Sequence, residues 1–194
     1  MLDETPDHRV FEWLGTDSQG IGYYLRALNL VWDPEGPERI LQRFAVVADR
    51  LESEADYWAA IIRTRSWRHT LVGCVCVLIR RPPNRFEDLA YRFEHGSFVS
   101  PQICITMGIV YSALAKQWLN TLLNSRRDSL GSKEIAAAVS VLDRLSSPRP
   151  DADVLAKLAE SSRGDDAVGY SVVDHQWNFW CNHSPLAIDG ITNG

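Results

Sequence analysis

What this chain of 194 residues lacks narrows it first. It holds no CxxC pair, no GxSxG elbow, no P-loop and no GxGxxG turn, so dithiol, serine-hydrolase, phosphate-loop and dinucleotide chemistries have no foothold. An ExxE or DxxD pair suited to a two-metal centre is also missing from the expected helices, and Glu52 and Glu54 stand too close in sequence to share a helix face. The longest nearly apolar run, Ile103–Ala115, is 13 residues and is interrupted by Thr106, Gly108 and Ser112. Spanning a bilayer takes roughly 20 apolar residues. The first residues, MLDETPDHRV, are acidic and polar, unlike a secretory signal. The expectation is a soluble, cytoplasmic protein with no membrane partner.

Alternating strand-like patterning is equally scarce, with no useful stretch before Gly169. What fills the chain is helical periodicity punctuated by Pro and Gly. Ile40, Leu41, Phe44, Val47, Ala48 and Leu51 make one apolar stripe over Glu38–Glu52, and Pro37 suits the first helical position before them. Shorter helices are expected over Asp7–Leu14, over Ile21–Trp32 behind Ser18 as N-cap, and over Glu54–Ile62 behind a Ser53–Asp56 capping box. Others are expected over Arg85–Glu94 behind Asn84, over Gly131–Ser146, and from Asp151 or Asp153 through Leu158.

Two stretches stand apart. Ser66–Ile79 (SWRHTLVGCVCVLI) and Ser97–Val110 (SFVSPQICITMGIV) each open with Ser and an aromatic and then run apolar for two to three turns. They predict two buried helices, the second starting at Ser100–Pro101 and running on to Asn124 or breaking near Gly108. Cys74, Cys76 and Cys104 lie inside them, where a thiol acts as a small hydrophobe, while Cys181 stands alone. Stacking of these two helices as neighbours is the basis of the expected fold.

Charge is segregated. Residues 1–59 carry net −7, residues 60–150 net +7 and residues 151–194 net −5, within an overall −5. The basic excess gathers at Arg63, Arg65, Arg68, Arg80, Arg81 and Arg85, at the two ends of the first apolar helix. At 1.5 Å rise per residue these ends stand too far apart to form one compact patch unless a neighbouring helix pair contributes. The arginines either bridge to the acidic N-terminal helices, through Glu52, Glu54 or Asp56, or face an acidic partner.

The aromatic-rich stretch Gly169–His183 collects Asp174, His175, Cys181 and His183, but its spacing fits no common zinc pattern. Alternation of Tyr170, Val172, Trp177 and Phe179 predicts an extended tail or short hairpin laid on the helices, with Trp177 and Trp180 offered to a partner. His69 and His95 fall near helix ends, where surface or capping roles are usual. No metal, cofactor or catalytic residue is expected.

An offset of 31 residues sets Ser66 against Ser97, Trp67 against Phe98 and Val72 against Ile103, each buried helix following a shorter amphipathic one. Over about residues 38–146 the chain resembles HEAT-type helical repeats. The resemblance implies an all-α fold, a short α-solenoid of helix pairs forming one helical domain over 1–194, with 165–194 an irregular extension packed on it. It also implies a non-catalytic role in binding another protein. One concrete form is a bacterial immunity or inhibitor protein that blocks a toxin. The alternatives are a HEAT-like nucleic-acid binder, opposed by a pI near 5.5 and the acidic flanks, and an enzyme whose site the sequence does not display.

Overall fold

The computed structural model describes residues 8–29, 37–126, 129–145 and 165–183. Ten helices lie among them: α1 (Arg9–Leu14), α2 (Tyr23–Asn29), α3 (Pro37–Ser53), α4 (Ala55–Arg63), α5 (Trp67–Arg80), α6 (Phe86–Glu94), α7 (Ser100–Val110), α8 (Ser112–Ser125), α9 (Ser132–Arg144) and α10 (Asp165–Asn182). The described residues contain no strand, only an isolated bridge between Thr16 and Gly22, so the chain is all-α. None of these helices is long and apolar enough to cross a membrane. The helix expected after Asp151 and the final turn of the one expected to reach Trp32 lie outside the described residues.

The helices fall into two compact units, residues 1–89 and 90–194, with α6 running across the boundary. In the first unit α5 is the central element, packed against α2, α3 and α4. Every residue from His69 to Ile79 is buried, which is why this helix is apolar all round rather than striped. α3 lays Ile40, Phe44, Val47, Ala48 and Leu51 into that core, while Leu41 is half-buried. Phe44, with no exposed surface, contributes about 2–3 kcal/mol by leaving water. α4 approaches α5 closely at Gly73, where a Cβ would sit 2.7 Å from Ile62 Cγ1.

In the second unit α7 is central, packed against α8, α9 and α10, and α9 also packs on α10. Residues Ser100–Gly108 are all buried. Of the two expected courses the helix takes the break near Gly108 and does not run unbroken to Asn124. It runs to Val110 and turns at Tyr111 (φ −125°, ψ 45°) into α8. Gly108 is there for closeness: a Cβ on it would lie 2.6 Å from Val141 Cγ1 on α9 and 2.8 Å from Trp177 Cζ3 on α10.

Two local expectations need correction. Gly169–His183 is neither an extended tail nor a hairpin, because α10 covers all of it but His183. Val173, Gln176 and Trp180 recur at helical spacing as its buried side, with half-buried Trp177 beside them, and burial of that face outweighed the β-propensity of the Tyr-Ser-Val-Val run. Ser53 does not cap α4 either. It ends α3, where its hydroxyl donates to the Arg50 carbonyl at 2.6 Å, and Glu54 occupies the N-cap position without a side-chain bond.

Candidate functional site

The six junction arginines divide by what surrounds them. Arg63 and Arg85, from opposite ends of α5, meet on one carboxylate. Asp88, in the first turn of α6 and only 7% exposed along its side chain, accepts from Arg63 Nε at 2.6 Å and from Arg85 Nη1 at 3.3 Å. The expected separation of the two ends is thus bridged by Asp88 of α6, which pairs with an arginine from each. Arg85 also lies over Trp58, 6.0 Å from its centroid. Arg80 pairs with Asp49 on α3. Arg81, half-buried, ends α5 in the left-handed region (φ 51°, ψ 47°), its N–H donating to the Val77 carbonyl at 2.8 Å. Three of the six are thus ion-paired within the first unit, and Arg81 is half-buried there.

Arg65 and Arg68 remain exposed, and among the described residues neither has an ion-pair partner. Arg68 stacks on the neighbouring indole, its guanidinium carbon 4.6 Å from the Trp67 centroid. Ser66 takes the N-cap position between them, but its hydroxyl is hydrogen-bonded to His69 Nδ1 at 2.8 Å rather than to a backbone N–H. Of the surface or capping roles expected for His69, the surface one does not hold: it is a core residue, 1% exposed and edge-on to Phe11 at 4.5 Å, and it meets the helix end through Ser66. His95 is exposed and stacks on Tyr91 at 4.1 Å.

The C-terminal candidates also separate. Trp180 is 4% exposed, in T-shaped contact with Phe179. Trp177 is half-buried, with Arg144 over its ring at 5.7 Å, and Arg144 bonds Asp174. On α10 His175 and Cys181 point about 120° apart, and His183 lies just past the helix end. Among the described residues no group of His, Cys, Asp or Glu is placed to hold a metal ion. Burial pushes the thiols of Cys76 and Cys104 far up, and neighbouring Cys74 raises Cys76 further, so neither forms the thiolate a nucleophile needs.

Other surface features were not evident from the sequence. Phe98, in the loop before α7, is 62% exposed, with the Lys133 ammonium 5.2 Å above its ring and donating to its carbonyl at 3.0 Å. In the same unit Leu114 and Tyr91 are also exposed, and in the first unit Val46 stands at the edge of a shallow groove with Glu38, Arg39, Gln42 and Arg43. Only the offset matching Trp67 to Phe98 hinted that this loop aromatic was distinctive. Asp17, buried in the loop before α2, is held by Arg26 Nε at 2.7 Å and by the Gln19 and Ile21 N–H groups. Burial alone would raise its carboxyl, but the Ile21, Arg26 and Gln19 hydrogen bonds and the Arg26 charge bring it below the ordinary value. This cluster pins a loop. Compared with family models, curated proteins and solved structures, the chain matches none.

Proposed function

We propose that the protein is a non-catalytic binding module that recognises another protein by surface complementarity, in the manner of a bacterial immunity or inhibitor protein that blocks a toxin. The observation that carries this reading is Phe98. A large aromatic side chain stands exposed while Lys133 grips both its ring and its backbone, so little conformational entropy is left to lose on docking. Interface anchors are aromatic side chains of this kind, set among charges that form the rim. The engaged arginines around Asp88 then stiffen the scaffold, and the exposed ones provide electrostatic guidance. Packing of α4 on α5 is the sort of helix pair from which HEAT-like repeats are built, and it supports a HEAT-like reading of the first unit.

The test is to mix the purified chain with the products of adjacent genes and follow complex formation by size-exclusion chromatography with light scattering. A stable complex that Phe98→Asp disrupts is expected. Absence of any complex, or a complex indifferent to Phe98→Asp, refutes the reading.

A further inference from the structure

We propose that Arg65, Trp67 and Arg68 form a recognition site for a carboxylate-rich protein segment, a site that rests on the protein-binding role proposed above and gives it a partner chemistry. The segment Arg65-Ser66-Trp67-Arg68 runs from the α4–α5 turn into the first turn of α5 and presents two exposed arginines within four residues. Arg63, two positions earlier, shows what a cation here does when a carboxylate is in reach: it closes on Asp88 at 2.6 Å. Arg65 and Arg68 have no such partner among the described residues, and the first turn of α5 carries no acidic residue to neutralise them.

Arg68 is preorganised. Its guanidinium carbon lies 4.6 Å from the centroid of the half-buried Trp67, a contact that restrains the side chain while leaving it exposed to a carboxylate, which guanidinium N–H groups can meet bidentately. The overall charge of −5 disfavours a long polyanion, whose repulsion accumulates along its length. A short run of Asp or Glu on a protein surface escapes that cost. Each exposed pair is weak alone, so the site requires at least two carboxylates and is strongly screened by salt.

The experiment measures binding of a fluorescein-labelled hexaglutamate peptide to the full chain by anisotropy, beside an oligothymidylate of equal charge and with inorganic phosphate as competitor. The expected result is saturable peptide binding that Arg65→Ala/Arg68→Ala weakens about tenfold and that about 0.3 M salt abolishes. Both residues are exposed, so an unchanged thermal midpoint confirms that the variant is folded. Phe98→Asp leaves peptide binding intact, so loss of the Phe98 anchor and loss of this site are read separately. No peptide binding at low salt, or binding that survives the double substitution, overturns the proposal. Preference for the oligothymidylate assigns the site to nucleic acid instead, and competition by millimolar phosphate reduces it to a simple anion site. Either result overturns the carboxylate assignment.

Discussion

Replacing Gly108 by Ala sets two opposed effects against each other at the centre of the second unit. Inside a helix Ala is favoured over Gly by about 1 kcal/mol, so propensity alone predicts a more stable protein. The added Cβ, however, would sit 2.6 Å from Val141 Cγ1 and 2.8 Å from Trp177 Cζ3, both inside the distance that real contacts reach. Val141 is fully buried and Trp177 half-buried, so both side chains must shift within packed surroundings to admit the methyl. Overpacking of this kind costs about 1–3 kcal/mol. Two neighbours on two different helices place the cost at the upper end, for a net loss of about 1–2 kcal/mol. Urea denaturation followed by tryptophan emission measures it. Gly108→Val, with two further methyls, is expected to lose more than Gly108→Ala. If Gly108→Ala matches or exceeds the wild-type midpoint, the close approach of α7 to α9 and α10 is wrong.

Other consequences follow from the same packing. Asp88→Ala leaves Arg63 and Arg85 without their shared acceptor and is expected to cost about 2–3 kcal/mol in urea denaturation, whereas Asp49→Ala, at an exposed pair, costs under about 1 kcal/mol. Equal losses would show that the Asp88 cluster is no more than a surface pair. Asp17 titrates below its ordinary value of 3.8, so its contribution is complete above that value and is lost as pH falls through the lowered one. The stability gap between wild type and Asp17→Asn should therefore be constant from neutral pH down to about 5 and narrow only at lower pH; narrowing at neutral pH contradicts the assignment. Of the four cysteines only Cys181 is exposed, so an aromatic disulfide reagent should label one thiol promptly in native protein and four in denaturant. Prompt labelling of two or more native thiols would refute the burial of α5 and α7.

The sequence made the helices legible where burial is simple. α3 is striped because only one side meets the core, and α5 and the body of α7 are apolar throughout because neighbours surround them. Legibility failed where a residue served a neighbour rather than its own element. Gly108 marked the nearby helix end correctly, but its packing role was hidden, because Val141 and Trp177 lie about 33 and 69 residues away. In α10 alternating aromatics mimicked a strand while Val173, Gln176 and Trp180 carried the helical period. Of the surface, the arginines were visible by their number. Which of them remained exposed was not, since that depended on Asp88 and Asp49 arriving from other helices. Phe98 was visible only as the counterpart of Trp67, and its contact with Lys133 comes from α9, 35 residues on.

The central claim is that this chain works by holding another protein through anchors already in place on its surface. Isothermal titration of the chain with the product of the adjacent gene tests it most directly, using wild type, Phe98→Asp and Arg65→Ala/Arg68→Ala in parallel. The account predicts a stoichiometric complex that Phe98→Asp weakens by about a hundredfold, the scale of a central anchor, and that the arginine pair weakens by about tenfold in a salt-dependent way. Heat of binding that is absent in the wild type, or identical in all three proteins, would contradict it.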